Sequence, residues 1–91
     1  MAMNYYFYIL CSEIKEIYYY GSSDDPPRRL GYHNHEQKGF TQRYRPWNLV
    51  FTHKFKSRKQ AEAAERLVKR WKSKKMTRLL IEGKINLNDY L

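Results

Sequence analysis

The side chains best suited to chemistry lie in two tyrosine-rich segments and in the basic segment that follows them. The first segment is Tyr5 to Cys11 and the second is Glu16 to Gly21. In the basic segment Arg29 and His33 are four positions apart, so in a helix they project from the same side. A guanidinium binds two oxygens of an oxyanion at once, an imidazole transfers protons, and a phenolic hydroxyl can orient water. These groups suit chemistry on a phosphate.

The net charge indicates a polyanionic partner. Eighteen Lys and Arg residues against nine Asp and Glu residues give a formal net charge of +9 on 91 residues. Basic proteins are attracted to phosphate backbones because binding releases condensed counterions. Aromatic residues make up 16% of the chain, and rings interleaved with cations are typical of surfaces that hold a backbone and stack its bases. Basic ribosome-associated proteins and proteins that bind acidic membranes share the charge but seldom this tyrosine content, so nucleic acid is the favoured partner.

Length and composition exclude several other classes. Ninety-one residues form one domain with a modest core. No apolar run approaches membrane-spanning length, and no charged-then-apolar leader suggests secretion, so we expect a soluble cytoplasmic protein without membrane contact. The single cysteine, Cys11, makes neither an internal disulfide nor a thiolate zinc site by itself. Residues 1–3, Met1-Ala2-Met3, look like a cloning remnant ahead of the natural start.

The order and spacing of these residues resemble those of the GIY-YIG nuclease family. The first half-motif corresponds to Tyr6-Phe7-Tyr8 and the second to Tyr19-Tyr20-Gly21. Arg29 follows Tyr19 by ten positions and His33 follows Arg29 by four, which is the family's pattern. The similarity continues through Arg45-Pro46-Trp47 and the next helix, so it covers most of the chain. The sequence departs from the family in lacking glycine and isoleucine in the first half-motif and isoleucine in the second.

This resemblance implies a metal-dependent endonuclease that hydrolyses DNA phosphodiester bonds with one divalent cation, Mg²⁺ or Mn²⁺. It implies that Glu65 is the metal ligand and that Arg29 binds the scissile phosphate. Tyr8 and Tyr19 would supply hydroxyl groups to the cleft. An unperturbed tyrosine has a pKa near ~10, so orienting water is an easier role for them than general base. His33 would shuttle a proton or contact phosphate.

Each of these assignments has a purely structural alternative. At one hundred degrees per residue Glu65 falls at the edge of an apolar helix stripe, whereas Glu62 points further out. Glu65 would be unremarkable if it only paired with Lys69 four residues on. Only the spacing from the second half-motif selects Arg29 over Arg28. Tyrosine-rich strands are often core, and six tyrosines compete for the two hydroxyl roles.

Further residues are candidates for holding the nucleic acid, namely Ser22, Lys38, Arg43, Arg45, Lys72, Lys74 and Lys75. Phe40, Tyr44 and Trp47 are candidates for stacking on bases, although Trp47 suits a core equally well. Because aromatic rings stack only on exposed bases, single-stranded or branched DNA is favoured over plain duplex. We expect a role in DNA repair, recombination or DNA processing. Specificity would come from the domain's own loops, the substrate's structure or a protein partner, and the alternative is a binding module with little or no cleavage.

Three strands are predicted to position these residues. Tyr5 to Cys11 and Glu16 to Gly21 are dense in aromatic and β-branched residues, which predicts two strands joined by a hairpin-length connection. Tyr5 to Cys11 is apolar or aromatic on both alternating faces, which predicts a strand covered on both sides. Asn48 to Phe55 is predicted to be a third strand, with Leu49, Phe51 and Phe55 on one face.

Three helices complete the prediction. The first runs from about Pro26 to Tyr32 after an N-cap at Asp25, and because of its proline pair and Gly31 it is expected to start late or to be one distorted turn. Asn34 is expected to cap its end, and the chain from there to Pro46 reads as a loop. The second helix begins at a Ser57 capping box and carries the apolar stripe Ala61, Ala64, Val68 and Trp71. A short third helix ends at Gly83.

The predicted fold is therefore α+β, a small three-stranded antiparallel sheet flanked by helices in the order β-β-α-β-α-α. The resemblance implies the same architecture. Residues 4–82 would form the domain, and residues 83–91 would be a C-terminal tail whose role the sequence leaves unassigned.

Overall fold

The computed structural model describes residues 4–36 and 39–91, and these follow the predicted order of elements. The elements are β1 (Tyr5–Ser12), β2 (Tyr18–Ser23), α1 (Pro26–His35), α2 (Phe40–Arg43), β3 (Trp47–Phe55), α3 (Arg58–Trp71), α4 (Lys74–Ile81) and a terminal 3₁₀ helix (Leu87–Tyr90). The single turn of α2 lies within the segment that was predicted to be a loop. Among the described residues, no helix has the length and apolar character needed to cross a membrane.

The sheet is antiparallel and has the order β2-β1-β3, so β1 is the central strand and β2 lies at an edge. Both faces of β1 are covered, as its sequence predicts. Phe7 and Ile9 are fully buried in the core cluster on one face, and Tyr8 and Leu10 are buried in the cluster on the other. The α+β class and the three-stranded antiparallel sheet are confirmed.

One side-chain alternation in β3 was predicted wrongly. Ile9 pairs with Phe51, but the next residue of β1, Leu10, pairs with Leu49, so Val50 is an extra residue in β3. Such a bulge reverses the alternation of the strand. Leu49 consequently packs with Leu10, on the opposite face from Phe51.

The helix α1 is longer and more regular than its sequence predicts. It begins at Pro26 and runs for ten residues. The side chain of Asp25 accepts a hydrogen bond from the backbone N–H of Arg28, and the two prolines occupy the first helical positions, where a missing N–H leaves no bond unmade. The expected late start was wrong because Pro27 falls in the first turn.

Two helices cover the two faces of the sheet. The cap of α3 is Ser57, whose hydroxyl accepts a hydrogen bond from the Gln60 N–H at 3.2 Å. The stripe Ala61, Ala64 and Val68 is buried, and Ala64 and Val68 belong to the cluster of Phe7. On the other face, Leu30 of α1 packs against the cluster that holds Tyr8. The edge strand β2 therefore lies between a helix above the sheet and a helix below it.

The C-terminal part of the described chain packs on the same core. Lys72 has a left-handed backbone (φ 48°) that ends α3, and Gly83 (φ 76°) follows α4 as predicted. Leu87 is 1% exposed and belongs to the same cluster as Phe7, and the Tyr90 ring lies edge-on to Trp71 at 5.2 Å between centroids. The division of the chain at residue 82 stays a prediction.

Candidate active site

The phenol of Tyr8 passes over the backbone of the edge strand at Gly21. These two residues are direct partners in the β1–β2 ladder. A Cβ atom at Gly21 would come within 2.5 Å of the Tyr8 ring and hydroxyl, closer than any side chain tolerates. The glycine therefore lets a residue of the central strand place its hydroxyl near the open edge of the sheet. The group that approaches this backbone closely is thus the Tyr8 side chain.

His33, from the last turns of α1, completes an aromatic group with the buried Tyr8 and the half-buried Tyr19. The Tyr8 hydroxyl lies 3.3 Å from His33 Nε2, and the rings of Tyr19 and His33 are 4.4 Å apart between centroids. His33 is fully buried, and its Nδ1 makes no hydrogen bond within the described part of the chain. The three residues come from β1, β2 and α1, so only the tertiary fold brings them together.

The electrostatics of this group keep both His33 and Tyr8 neutral near pH 7. Burial, and then the positive charges of Arg29 and Arg45, lower the pKa of His33 to about 4. Burial raises the pKa of Tyr8 to about 12, an effect that the neighbouring Arg29 partly opposes. Because the Tyr8 phenol keeps its proton and the imidazole is uncharged, the hydrogen bond joins two neutral groups, and the tautomer of His33 decides which of them donates.

The Arg29 side chain lies between this buried group and the surface. Its guanidinium is 4.9 Å from the centre of the Tyr32 ring, and its charge acts on the hydroxyls of Tyr8 and Tyr19. Arg28, the alternative, is not among the groups that shift the pKa of Tyr8. Arg29 can therefore present a fork of donors to a phosphate at the sheet edge.

Glu65 reaches the same edge from α3, on the opposite face of the sheet. Its Oε1 accepts a hydrogen bond from the Ser22 hydroxyl at 2.9 Å, and its Oε2 lies 2.7 Å from the Lys69 ammonium. The side chain is 21% exposed and its charge acts on Tyr8. Glu62 instead pairs with Arg58 at 3.0 Å on the outer surface. Glu65 thus forms the ion pair with Lys69 and also points toward Ser22 at the candidate site.

The donor set at Glu65 suits a hydrated, hard divalent cation. Within residues 4–36 and 39–91, no three His, Cys, Asp or Glu side chains come together as metal ligands. A cation here would have one carboxylate from Glu65, with the Ser22 hydroxyl as the neighbouring oxygen, and would keep most of its water. Mg²⁺ is commonly bound in this way. Lys69 would have to leave Oε2 for the cation to use both carboxylate oxygens.

The predicted nucleic-acid contacts are spread more widely than the catalytic candidates. Ser22 lies in the site, and Arg45 lies beside it, since its Nε donates a hydrogen bond to the His33 carbonyl at 2.8 Å. Arg43 is exposed at the end of α2. Lys38 lies outside the described residues.

The lysines at the α3–α4 junction, Lys72, Lys74 and Lys75, are not part of this site. They are exposed, and Lys74 acts electrostatically on Cys11, whose β2 partner is Tyr18. Ser22 is four residues further along β2, which places it roughly 13 Å from that end of the strand. These lysines therefore lie toward the hairpin turn rather than at the catalytic candidates.

Trp47 and Asn34 have structural roles that the sequence left open or assigned differently. Trp47 is 1% exposed and its indole donates a hydrogen bond to the Thr41 carbonyl at 2.7 Å, so it is core and not a stacking surface. Asn34 does not cap the end of α1. Its side chain accepts a hydrogen bond from the Trp47 N–H at 2.7 Å and donates one to the Trp47 carbonyl at 3.1 Å, which ties α1 to β3.

Comparison with sequence models of known protein families matches residues 4–78 to the GIY-YIG catalytic domain. The chain belongs to the GIY-YIG family. Its architecture is accordingly a nuclease-type fold. The sequence predicted this family from the half-motifs, and the match extends over the strands and helices that carry Tyr8, Arg29 and Glu65.

A solved structure is similar to this GIY-YIG chain over most of its length. It is the solution NMR structure of the UPF0213 protein BH0048 from Bacillus halodurans, which is 31% identical in sequence, with a TM-score of 0.56. The alignment covers 90% of this chain and 86% of that one. No curated protein matches the chain.

Proposed function

We propose that this GIY-YIG protein is a divalent-cation-dependent endonuclease that hydrolyses DNA phosphodiester bonds. The observation that carries the proposal is the convergence of three elements at the edge of β2. Glu65 arrives from α3 on one face, Arg29 and His33 from α1 on the other, and Tyr8 crosses between them over Gly21. A carboxylate, a guanidinium and a protonated phenol around one open edge suit attack by water on a phosphodiester.

Each side chain has a role that follows from its surroundings. Arg29 binds the scissile phosphate and stabilises the charge that develops on it. Glu65 holds Mg²⁺ or Mn²⁺, and the bound cation supplies Lewis-acid stabilisation of the phosphate. Tyr8 and Tyr19 orient the attacking water through their hydroxyl groups.

The Tyr8–His33 hydrogen bond offers a path for the proton that water loses. With its pKa raised to about 12, Tyr8 is a poor base by itself. It can accept a proton from water on its oxygen while its own proton passes to His33 Nε2, which is 3.3 Å away. The phosphate charge bound at Arg29 would favour this transfer, since the Arg29 charge is one cause of the lowered His33 pKa.

The substrate we propose is single-stranded or branched DNA, cut during repair, recombination or DNA processing in the cytoplasm. The net charge of +9 supports a nucleic-acid partner. Exposed aromatic rings near the site support unpaired bases over plain duplex, since Tyr32 is 38% and Phe40 52% exposed. A protein partner that supplies specificity belongs to the same proposal.

The test is cleavage of labelled single-stranded, duplex and branched DNA with Mg²⁺ or Mn²⁺, comparing Glu65→Gln with the wild type. Glu65→Gln should lose several kcal/mol of transition-state stabilisation, so its cleavage rate should fall by at least about 100-fold. Binding measured by fluorescence anisotropy should change little. Glu62→Gln on the same helix is the matched control and should cut at the wild-type rate, because Glu62 pairs with Arg58 away from the site. Undiminished cutting by Glu65→Gln would refute the role of Glu65.

A second candidate is a nucleic-acid-binding module with little or no cleavage. One observation favours it, namely that both Glu65 oxygens already have partners in Ser22 and Lys69. Such a module would bind all three DNA forms with a steep dependence on salt and no dependence on Mg²⁺. Binding without cutting on every substrate would decide for this candidate.

A further inference from the structure

An open pocket lies along one side of α1, next to the candidate active site. Its volume is about 510 Å³. The lining residues are Arg28, Arg29, Gly31, Tyr32, His35 and Glu36. Arg29 belongs both to this pocket and to the surroundings of the Tyr8 hydroxyl. A strand whose phosphate lies on Arg29 would therefore pass this pocket.

The planar groups of the pocket suit an unpaired base. The Tyr32 ring is 38% exposed, and the Arg29 guanidinium lies over it at 4.9 Å from the ring centre. Bases stack on tyrosine rings and on arginine planes alike. Arg28, which is exposed on the same side of the helix, adds a positive charge for a backbone phosphate. The Glu36 carboxylate at the rim offers an acceptor to a base amino group.

The glycine in this helix gives a second, independent indication. Gly31 has no positive φ, so its backbone does not require glycine. A Cβ there would meet no atom within 4 Å beyond its own helix backbone and chain neighbours, so packing does not require glycine either. Glycine destabilises a helix interior relative to alanine. Its absent side chain does, however, leave the wall of the pocket open.

We propose that this pocket is a nucleotide subsite, which binds an unpaired base next to the cleaved phosphate by stacking on Tyr32, with Arg28 on the adjoining phosphate. The proposal rests on the proposed function in taking single-stranded DNA as the substrate. It goes further in assigning Tyr32, Arg28 and Gly31 to substrate binding and in explaining why exposed bases would be preferred.

The test uses a short, labelled single-stranded DNA in which one position at a time is abasic, with binding measured by anisotropy in EDTA. For the wild type, removing the stacked base should raise Kd by about 5- to about 150-fold at one position. Tyr32→Leu should lose that position-specific penalty, and Tyr32→Phe, which keeps the ring, should retain it. Tyr90→Leu is the matched control, since Tyr90 is 44% exposed but packs on Trp71.

Gly31→Ala separates an effect on DNA binding from an effect on folding, because the two are expected to change in opposite directions. The alanine should raise Tm by roughly 2 to 8 °C, because it stabilises the helix, and should still weaken DNA binding by narrowing the pocket. A higher Tm with unchanged affinity would overturn the subsite.

Two further outcomes would also overturn it. One is an abasic penalty that persists in Tyr32→Leu. The other is a loss of binding in Tyr32→Leu that is equal at every position, which would mean that Tyr32 only positions Arg29. The cleavage assay keeps the two proposals separate: a wild type that cuts without the position-specific penalty loses the subsite alone, and one that shows the penalty without cutting loses the nuclease function alone.

Discussion

The cation that we propose for Glu65 would compete with the Lys69 ammonium for the carboxylate. Lys69 lies 2.7 Å from Oε2 and its side chain is 53% exposed, so the ion pair is screened by water. Exposed pairs four residues apart stabilise a helix by only about 0.3–0.5 kcal/mol. A divalent cation can displace such a partner at little cost.

We therefore predict that Lys69→Gln binds Mn²⁺ more tightly than the wild type, by about 2- to 5-fold, since an ion pair of at most ~1 kcal/mol no longer competes. The measurement is Mn²⁺ binding by electron paramagnetic resonance or calorimetry. Arg58→Gln, which breaks the corresponding pair with Glu62, should leave the affinity unchanged. Weaker Mn²⁺ binding in Lys69→Gln would mean that Lys69 holds Glu65 in position instead of competing.

The contact between Gly21 and Tyr8 gives a second prediction for a single residue. Gly21→Ala would force a methyl group to within 2.5 Å of the Tyr8 ring, so the phenol or the edge strand must move. Overpacking of this kind should lower the free energy of unfolding by about 1–3 kcal/mol and should reduce cleavage, because the Tyr8 hydroxyl leaves the site. Urea unfolding measures the first effect. Gly31→Ala, whose added Cβ meets no neighbouring atom, is the control for the unfolding measurement alone and should not lower stability. Equal stability of Gly21→Ala and wild type would refute the close contact.

Hydrogen bonds between α1 and β3 hold α1 in its position on the sheet. The side-chain amide of Asn34 forms two hydrogen bonds with the backbone of Trp47, one as donor and one as acceptor, as a neighbouring strand would. Arg45 adds a bond to the His33 carbonyl. Through these bonds the helix that carries Arg29 and His33 is fixed to the face of the sheet on which the Tyr8 side chain lies.

Asn34→Ala should lower the free energy of unfolding by about 1–3 kcal/mol, because it leaves backbone groups of the buried Trp47 without their partner. Cleavage should fall by more than the unfolded fraction explains, because α1 is no longer fixed. Urea unfolding and cleavage under strongly native conditions separate the two effects. Asn48→Ala is the control, since the Asn48 bond to Glu13 is exposed. Full activity with reduced stability would show that the Asn34 bonds do not position the site.

At the scale of the whole molecule, the buried His33 couples folding to pH. Its pKa is lowered to about 4 in the folded state, whereas an unfolded histidine has a pKa near ~6.5. Between about pH 6.5 and pH 4, His33 binds a proton in the unfolded chain but stays neutral in the folded chain. The stability contributed by the neutral imidazole is therefore complete above about pH 6.5 and is lost as the pH falls toward 4.

We predict that stability decreases between about pH 7 and about pH 5, with up to about 3 kcal/mol lost by pH 4. Urea unfolding across this range measures the effect. His33→Gln should show a flatter dependence, and the exposed His35→Gln serves as the matched control. The same slope in His33→Gln and wild type would contradict the assignment to His33.

Much of the fold was predictable from the sequence because its determinants are local. The caps at Asp25 and Ser57, the turn at Gly83 and the apolar stripe of α3 each depend on residues within a few positions of one another. Alternation in β1 correctly predicted a strand covered on both faces. The half-motif spacing also identified the family, since the relevant residues keep fixed distances along the chain.

Only the tertiary structure decided the contacts between residues far apart in sequence, because the periodicity of a sequence does not tell which distant residues meet. The bulge at Val50 moved Leu49 to the other face, and Asn34 bonded to Trp47 instead of capping its own helix. The sequence left two alternatives for Glu65, an ion pair with Lys69 or a position at the site. In the fold it has both, since one carboxylate oxygen bonds to Ser22 and the other pairs with Lys69. The arrangement of the candidate site at the sheet edge depends on these long-range contacts, whereas the helices and strands that carry its residues depend on short-range ones.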